Sequence, residues 1–596
     1  MRWLLWLCVL AALIDLRAFG LTDLDEGFYA SVAWEMRHSG DWRTPTFLGE
    51  PWFEKPPLLY WLMVGSMRVF GENEFALRLP SALMYALTMV LLAWWGNRRL
   101  GQGAGSWAAL LFALAPLSLI LARLAITDMA LAFFLTVAVI ALWEARGLGW
   151  SLIGGIALGL AFLTKGPFGL GLVGLLYVWN ARMLHARGLR FRWVLFALGV
   201  ALLTALPWYV GVYLQHGAAF FNEFVVKQNL LRFAGGDTAH SVLPLIQRGD
   251  VGGVLAGVAV YLLFYVVVLW LGGLSMVGRV SVLWAREDDP LRLYLRRWAW
   301  LVFGLFTLSF TKLPAYIFPI FPALALLVGA RVAQGRLVAG DSAHWGWQWR
   351  RAGTLVVLLG AAVWAGVALY RPLWEGAPWA VALALGMPLA MLALNCPVVP
   401  SWMRTVGTLA LLVGWNGALT GYDRLALRPV RELALKPPPY RTLLLYRVNP
   451  GYPSLQFYRR GAYLPVSNPA TAQAEMIQKG AYCLTTDPNF GGTTAIQIGK
   501  AEAMGRTFYL FAPQYMQSQP RGLLEPSVDD QSYCYACMLP EALVFAPEPC
   551  EWSNKIAGKV ELLNGHGNRV RLTACALSCR ANRPAQEMVA HSVYLG

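Results

Sequence analysis

Apolar runs of about 18 to 22 residues recur along this chain, broken by short polar joints, from the first residues to about residue 420. Wound as helices, runs of that length match the ~30 Å hydrocarbon core of a bilayer. Any other backbone would leave N–H and C=O groups unsatisfied in lipid. The pattern predicts about thirteen spans, at roughly 3–20, 80–97, 104–121, 126–144, 149–164, 167–180, 193–213, 252–275, 298–311, 314–332, 352–370, 377–395 and 403–420. The first begins with Arg2 and looks like an export signal. It lacks a clear small-x-small cleavage site and more spans follow, so it reads as a retained first helix.

From about residue 421 the pattern shortens to a period of two. Lys436-Pro-Pro-Pro439 reads as a stiff linker. TLLLYRV (442–448), AYCLTT (481–486) and TFYLFAP (507–513) read as strands. KVELL and NRVRLTAC, on either side of Gly565-His566-Gly567, read as a hairpin. Helical character near 469–479 makes this tail a small α/β domain. The expectation is therefore a polytopic α-helical membrane domain over 1–420, with a large loop at 21–79, and an α/β domain over 421–596.

Composition agrees: 57% of residues are hydrophobic and 14% charged, against about 25% charged in soluble domains. The net charge of +16 would suit a polyanion, but its distribution points elsewhere. Arginines gather in short joints: Arg98 and Arg99; Arg182, Arg187, Arg190 and Arg192; Arg286, Arg292, Arg296 and Arg297; Arg331, Arg336, Arg350 and Arg351. That is the positive-inside pattern, which orients a chain in the membrane and implies no nucleic-acid partner. With the N-terminus cytoplasmic, 21–79, 122–126, 213–251, 311–314 and 421–596 fall on the opposite face. No Gly-rich phosphate loop is present, so no nucleotide cofactor is expected.

Six of the eight cysteines, Cys483, Cys534, Cys537, Cys550, Cys575 and Cys579, lie in the tail. In an oxidising compartment they are disulfide candidates, with fifteen possible connectivities. The rival is a zinc site built on Cys534-x-x-Cys537 and Cys575-x-x-x-Cys579.

Candidate chemistry concentrates in 21–79. Asp25 and Glu26 open a helical pattern in which Tyr29, Val32, Ala33 and Met36 form an apolar stripe. The helix would lie along the membrane surface with two carboxylates at its start. The plainer alternative is an N-cap and a residue that favours the helix dipole. In WFEKPP (52–57) the prolines keep Lys55 on extended backbone, where it could meet a phosphate headgroup or snorkel beside interfacial aromatics. Arg123 and Asp128 in RLAITD, Lys165 in LTKGP, and Lys312 and Tyr316 in TKLPAY fall on the same side. Ionisable groups gathered at one membrane boundary mark a site. Glu54 and His240 could hold a divalent metal (Zn, Mg or Mn), although two ligands make a thin set.

The stretch DEGFYASVAWEMRHSGDWRTPTFLGEPWFEKPPLLYWL resembles the first outer loop of bacterial lipid A aminoarabinose transferases, GT-C membrane glycosyltransferases related more distantly to protein O-mannosyltransferases. RLPSAL, RLAITD, LTKGP, NLLRF and TKLPAYIFPIFPALALL follow in the family order, so the resemblance covers about residues 1–420. It weakens in the tail, around SLQFYRRGAYLPV.

The resemblance implies transfer of a sugar from a polyprenyl (undecaprenyl) phosphate carrier to a lipid A-type lipid or other acceptor, at the periplasmic face of a bacterial inner membrane, by a monomer among membrane lipids. It implies catalytic acids at Asp25 and Glu26 and a carrier-phosphate contact at Lys55. It places Arg123, Asp128, Lys165, Lys312 and Tyr316 about the substrate, and Glu54 and His240 at a metal. The chain departs from the family in SVLPLI after His240 and in its cysteine-rich tail. A transporter or flippase of a lipid-linked substrate is the alternative. It would need polar residues along a path through both membrane halves.

Overall fold

The computed structural model describes residues 2–14, 16–23, 25–231, 251–277, 280–284, 289–309, 311–334, 419–448, 451–492, 494–503, 505–515, 551–563 and 569–578, and isolated positions between 359 and 417. The chain forms two compact units, Met1–Pro513 and Gln514–Gly596.

The first unit is helical up to Ala333. In order come α1 (Arg2–Leu13), α2 (Asp25–Ser39), a short antiparallel pair β1 (Thr46–Phe47) and β2 (Glu50–Pro51), α3 (Leu58–Phe70), α4 (Glu74–Arg99), α5 (Ala104–Ala113), α6 (Pro116–Leu121), α7 (Thr127–Glu144), α8 (Leu148–Lys165), α9 (Phe168–Ala186) and α10 (Phe191–Phe220). A π-helical stretch, Phe221–Leu231, continues α10. Helices Val251–Gly272 and Pro290–Leu308 follow, then a 3-10 stretch Pro314–Ile320 that leads into helix Phe321–Ala333. Among the described residues five helical stretches are long and apolar enough to cross a membrane: Glu74–Arg99, Thr127–Glu144, Leu148–Lys165, Phe191–His216 and Pro314–Ala333. The expected runs at 352–370, 377–395 and 403–420 lie outside the described residues, isolated positions and 419–420 aside.

Two expected spans are built differently. The first helix stops at Leu13, and Leu16–Leu21 continue as a loop that buries Leu16, Phe19 and Leu21. The run 104–121 breaks between α5 and α6, where Pro116, which has no N–H to donate, takes a first-turn position. Close packing sets the rest. A Cβ on Gly105 would stand 2.2 Å from the Ala93 carbonyl oxygen, so α4 and α5 approach at backbone contact.

The tail sheet runs β4–β3–β5–β7–β6, with β3 (Leu443–Tyr446), β4 (Tyr463–Val466), β5 (Tyr482–Thr485), β6 (Ala495–Ala503) and β7 (Arg506–Pro513). β3 pairs parallel with β4 and β5, while β7 pairs antiparallel with β5 and β6. The expected strands at 442–448, 481–486 and 507–513 and the helix at 469–479 are all present. Strands β4 and β6 went unread; β4 is four residues long and holds Pro465. In the second unit, β8 (Glu551–Leu563) pairs antiparallel with β9 (Arg569–Ser578), the expected hairpin.

Cys483 corrects the disulfide expectation. It is a free thiol on β5, fully buried among Leu444, Ala472, Met476 and Phe511, and burial pushes its pKa up. Packing claimed this sulfur as a small apolar side chain. Cys534, Cys537, Cys550 and Cys579 and the side chain of Cys575 lie outside the described residues.

The sheet reaches back to α2 through a short helix, Ser454–Tyr458. Ser31 Oγ donates to the Pro453 carbonyl (2.7 Å), Gln456 Nε2 to Glu35 Oε1 (3.0 Å) and Ser454 N to Asp23 Oδ1 (3.0 Å). Gly27 permits this approach, since a Cβ there would lie 2.7 Å from Ser454 N.

Candidate active site

The stripe Tyr29, Val32, Ala33 and Met36 is buried, as its period requires, and faces α3 and the body of the helical domain. The two acids at the start of α2 have opposite surroundings. Glu26 is fully buried and both its oxygens are occupied. Oε1 accepts from Arg78 Nε (2.7 Å) and Ala125 N (2.9 Å), and Oε2 from Arg78 Nη2 (2.9 Å), Thr22 N (2.7 Å) and Thr22 Oγ1 (2.9 Å). Arg78 also donates to the carbonyls of Leu16, Phe19 and Gly20 and lies over the Phe19 ring. This corrects the expectation that Glu26 is a catalytic acid. A carboxylate saturated by five donors and sealed from solvent is a structural hub. Asp25, one residue earlier, is exposed, and no hydrogen bond or ion pair occupies it among the described residues.

Tyr29, one turn further along α2, shows what Asp25 faces. Burial raises the Tyr29 phenol far above its ordinary range, and the neighbouring groups Asp25, Tyr60, Glu54 and Asp128 add to that rise. Three carboxylates from three separate segments thus lie within electrostatic reach of one side chain.

WFEKPP is pinned by its two leading aromatics. The Trp52 ring stacks on Phe28 of α2 (centroids 4.8 Å apart), and Trp52 N donates to the Pro45 carbonyl (2.8 Å). The Phe53 ring sits edge-on to His216 (5.1 Å) and Phe220 (5.2 Å). Glu54 and Lys55 follow these anchors directly, and Lys55 Nζ is 3.8 Å from Glu54 Oε2. Opposite, Lys165 at the end of α8 pairs with Asp128 at the start of α7 (2.5 Å) and lies 4.7 Å from the centroid of the Tyr316 ring.

Glu54, Lys55, Lys165, Gln228, Asn229 and Tyr316 line one cavity of about 120 Å³, with Phe168, Phe224 and Phe306 among its apolar walls. Phe224 and Asn229 also line an apolar groove formed by Phe162, Leu206, Tyr209, Val210, Tyr213 and Phe220. A chamber lined by two lysines, a glutamate and apolar walls therefore adjoins an apolar groove, and the two share Phe224 and Asn229.

Two expected cations stand elsewhere. Arg123 is buried within electrostatic reach of the Tyr85 hydroxyl and is not among the cavity-lining residues. Lys312 turns away from the cavity. Its amine donates to the carbonyls of Phe306 (2.9 Å) and Thr307 (2.7 Å), lies 4.3 Å from the Tyr261 ring centroid, and is pushed down to about 8 by burial. It closes a helix C-terminus by bonding the last carbonyls.

His240 lies outside the described residues. Among the described residues no group of three or more His, Cys, Asp or Glu gathers as a metal site, and Glu54 is answered by Lys55. Sequence reading passed over Arg78, Gln228 and Asn229, although Arg78 and Asn229 open the quoted motifs RLPSAL and NLLRF. A charged residue inside the apolar run of α4 was the available signal for Arg78.

The architecture and the chamber define a polytopic GT-C-type membrane protein with a small sheet region. Residues 4–222 match the family described as dolichyl-phosphate-mannose-protein mannosyltransferase. The undecaprenyl phosphate-alpha-4-amino-4-deoxy-L-arabinose arabinosyl transferase of Pseudomonas paraeruginosa is 33% identical over 398 residues, 63% of this chain and 66% of that protein. The second such transferase of Pseudomonas fluorescens is 29% identical over 409 residues, 63% of this chain and 67% of that protein. The crystal structure of ArnT from Cupriavidus metallidurans bound to undecaprenyl phosphate shares the fold, with a TM-score of 0.67 and 23% identity, over 87% of this chain and 99% of that one. The chain is thus similar in sequence to these transferases and shares the ArnT-like GT-C fold. Its match spans 66%, less than two thirds, of the length of the first relative named.

Proposed function

We propose that the protein is a glycosyltransferase that takes a sugar from a polyprenyl phosphate carrier and passes it to a lipid A-type lipid or another acceptor. The observation that carries this reading is the chamber of Lys55, Lys165 and Tyr316 adjoining the Phe220–Phe224 groove. The carrier phosphate would meet Lys55 and the prenyl chain the groove. The relatives named as undecaprenyl phosphate-dependent arabinosyl transferases support the same reading.

In the reaction, the bond from sugar C1 to the phosphate oxygen breaks and a bond from C1 to the acceptor oxygen forms. The electron pair leaves with the polyprenyl phosphate, whose growing charge Lys55 stabilises, with Lys165 behind it. The proton of a hydroxyl acceptor passes to Asp25, which is exposed and unengaged. An acceptor that is already anionic needs no base, and Asp25 then orients it. The thirteen-span topology, with this chamber and the sheet on the periplasmic side of the inner membrane, belongs to the same proposal.

The test is transfer in proteoliposomes from a carrier-linked sugar. Asp25→Asn and Lys55→Ala should each abolish transfer with the melting temperature unchanged. Near wild-type rates in both would sink the assignment.

A further inference from the structure

The WFEKPP segment hangs from a turn that the sequence does not favour. β1 and β2 are joined by two residues, Leu48 and Gly49, both with positive φ (55° and 78°). This is the pattern of a type I′ hairpin turn, which favours Asn-Gly or Gly-Gly. Leucine in the left-handed region is strained by its Cβ, and such strain persists only where surrounding contacts over-determine the backbone.

Those contacts come from one carboxylate. Glu35 accepts from Leu48 N (2.6 Å) through Oε1, and from Gly49 N (3.1 Å) and Thr46 Oγ1 (2.8 Å) through Oε2. Its fourth donor is Gln456 Nε2 (3.0 Å), from the helix that leads into the tail sheet. The hairpin passes directly into Trp52 and so to Glu54 and Lys55. We infer that Glu35 is a positioning residue: it holds the strained Leu48–Gly49 turn so that Lys55 is set in the chamber, and it ties that setting to the tail sheet through Gln456. This rests on the reading of Lys55 as a carrier-phosphate contact.

The ligand probe is undecaprenyl phosphate, bound to the full chain in lipid nanodiscs, with KM and kcat for the carrier-linked sugar measured in parallel. In Glu35→Gln one amide N–H faces a backbone donor, so the turn loses an acceptor. Affinity should fall roughly tenfold and KM rise to match, with kcat far less changed. Leu48→Gly relieves the strained φ, so adding it to Glu35→Gln should restore binding. Gly49→Ala strains the same turn while its Cβ meets nothing within 4 Å, and it should weaken binding by itself, which keeps the test decisive if Glu35→Gln fails to fold. Wild-type affinity in Glu35→Gln or Gly49→Ala, or no recovery in the double variant, would overturn the inference. A wild-type protein that binds the probe, loses it with Glu35→Gln and never transfers sugar would refute the proposed function and leave this inference standing.

Discussion

Lys165 and Asp128 stand 2.5 Å apart at the ends of two adjacent helices, with the lysine also 4.7 Å from the Tyr316 ring centroid. The pair is mostly buried, so each charge depends on the other. Lys165→Met should weaken undecaprenyl phosphate binding roughly tenfold, since it removes one of two cations in the chamber. Asp128→Asn frees the lysine and should leave binding as tight or tighter while lowering kcat. A double-mutant cycle on stability should return a coupling of about 1–3 kcal/mol. A coupling near zero would mean the two charges act independently.

Glu26 and Asp25 are neighbours that should respond oppositely. Glu26→Gln leaves the Arg78 guanidinium buried without its counter-charge, at a cost of about 3–5 kcal/mol. The melting temperature should drop steeply, and activity should be lost with the fold. Asp25→Asn should lose activity at an unchanged melting temperature. Thermal unfolding of the two variants side by side distinguishes a hub from a reacting group.

Asp23 gives the contact between α2 and the tail sheet a pH dependence. Burial, partly opposed by the Ser454 hydrogen bonds, lifts its carboxyl from 3.8 to about 7, with the Glu26 charge raising it further and Arg431 lowering it. Between those values the folded chain keeps a proton that the unfolded chain has lost. Stability from this group is therefore greatest at the acid end and falls as pH rises to about 7, then levels off. Melting temperatures across pH 4–8 should carry that downward slope. Asp23→Asn, which can still accept from Ser454 N, should flatten it. An unchanged slope in the variant would assign the dependence to other groups.

Much of this was legible in the chain because it is local. The apolar runs at 126–144 and 149–164 became α7 and α8 within a residue or so at each end, and the stripe on α2 faces the core at every position named. Lipid-length hydrophobicity and helical period act over one or two turns, so a linear reading recovers them. The chamber was legible in part. Lys55, Lys165 and Tyr316 come together from three segments. Lys312, equally plausible by position, instead turns to the carbonyls of its own preceding helix.

The sequence alone determined a helical membrane protein, the order of its spans where described, three strands and the hairpin of its tail, and the segments that would carry chemistry. All of these follow from periodicity and residue type over short windows. Only the tertiary structure decided which carboxylate is free. Glu26 meets Arg78 from 52 residues away, and Glu35 meets Gln456 from 421 residues away. Such pairings depend on where the folded backbone places two distant side chains, and on which of them water can still reach.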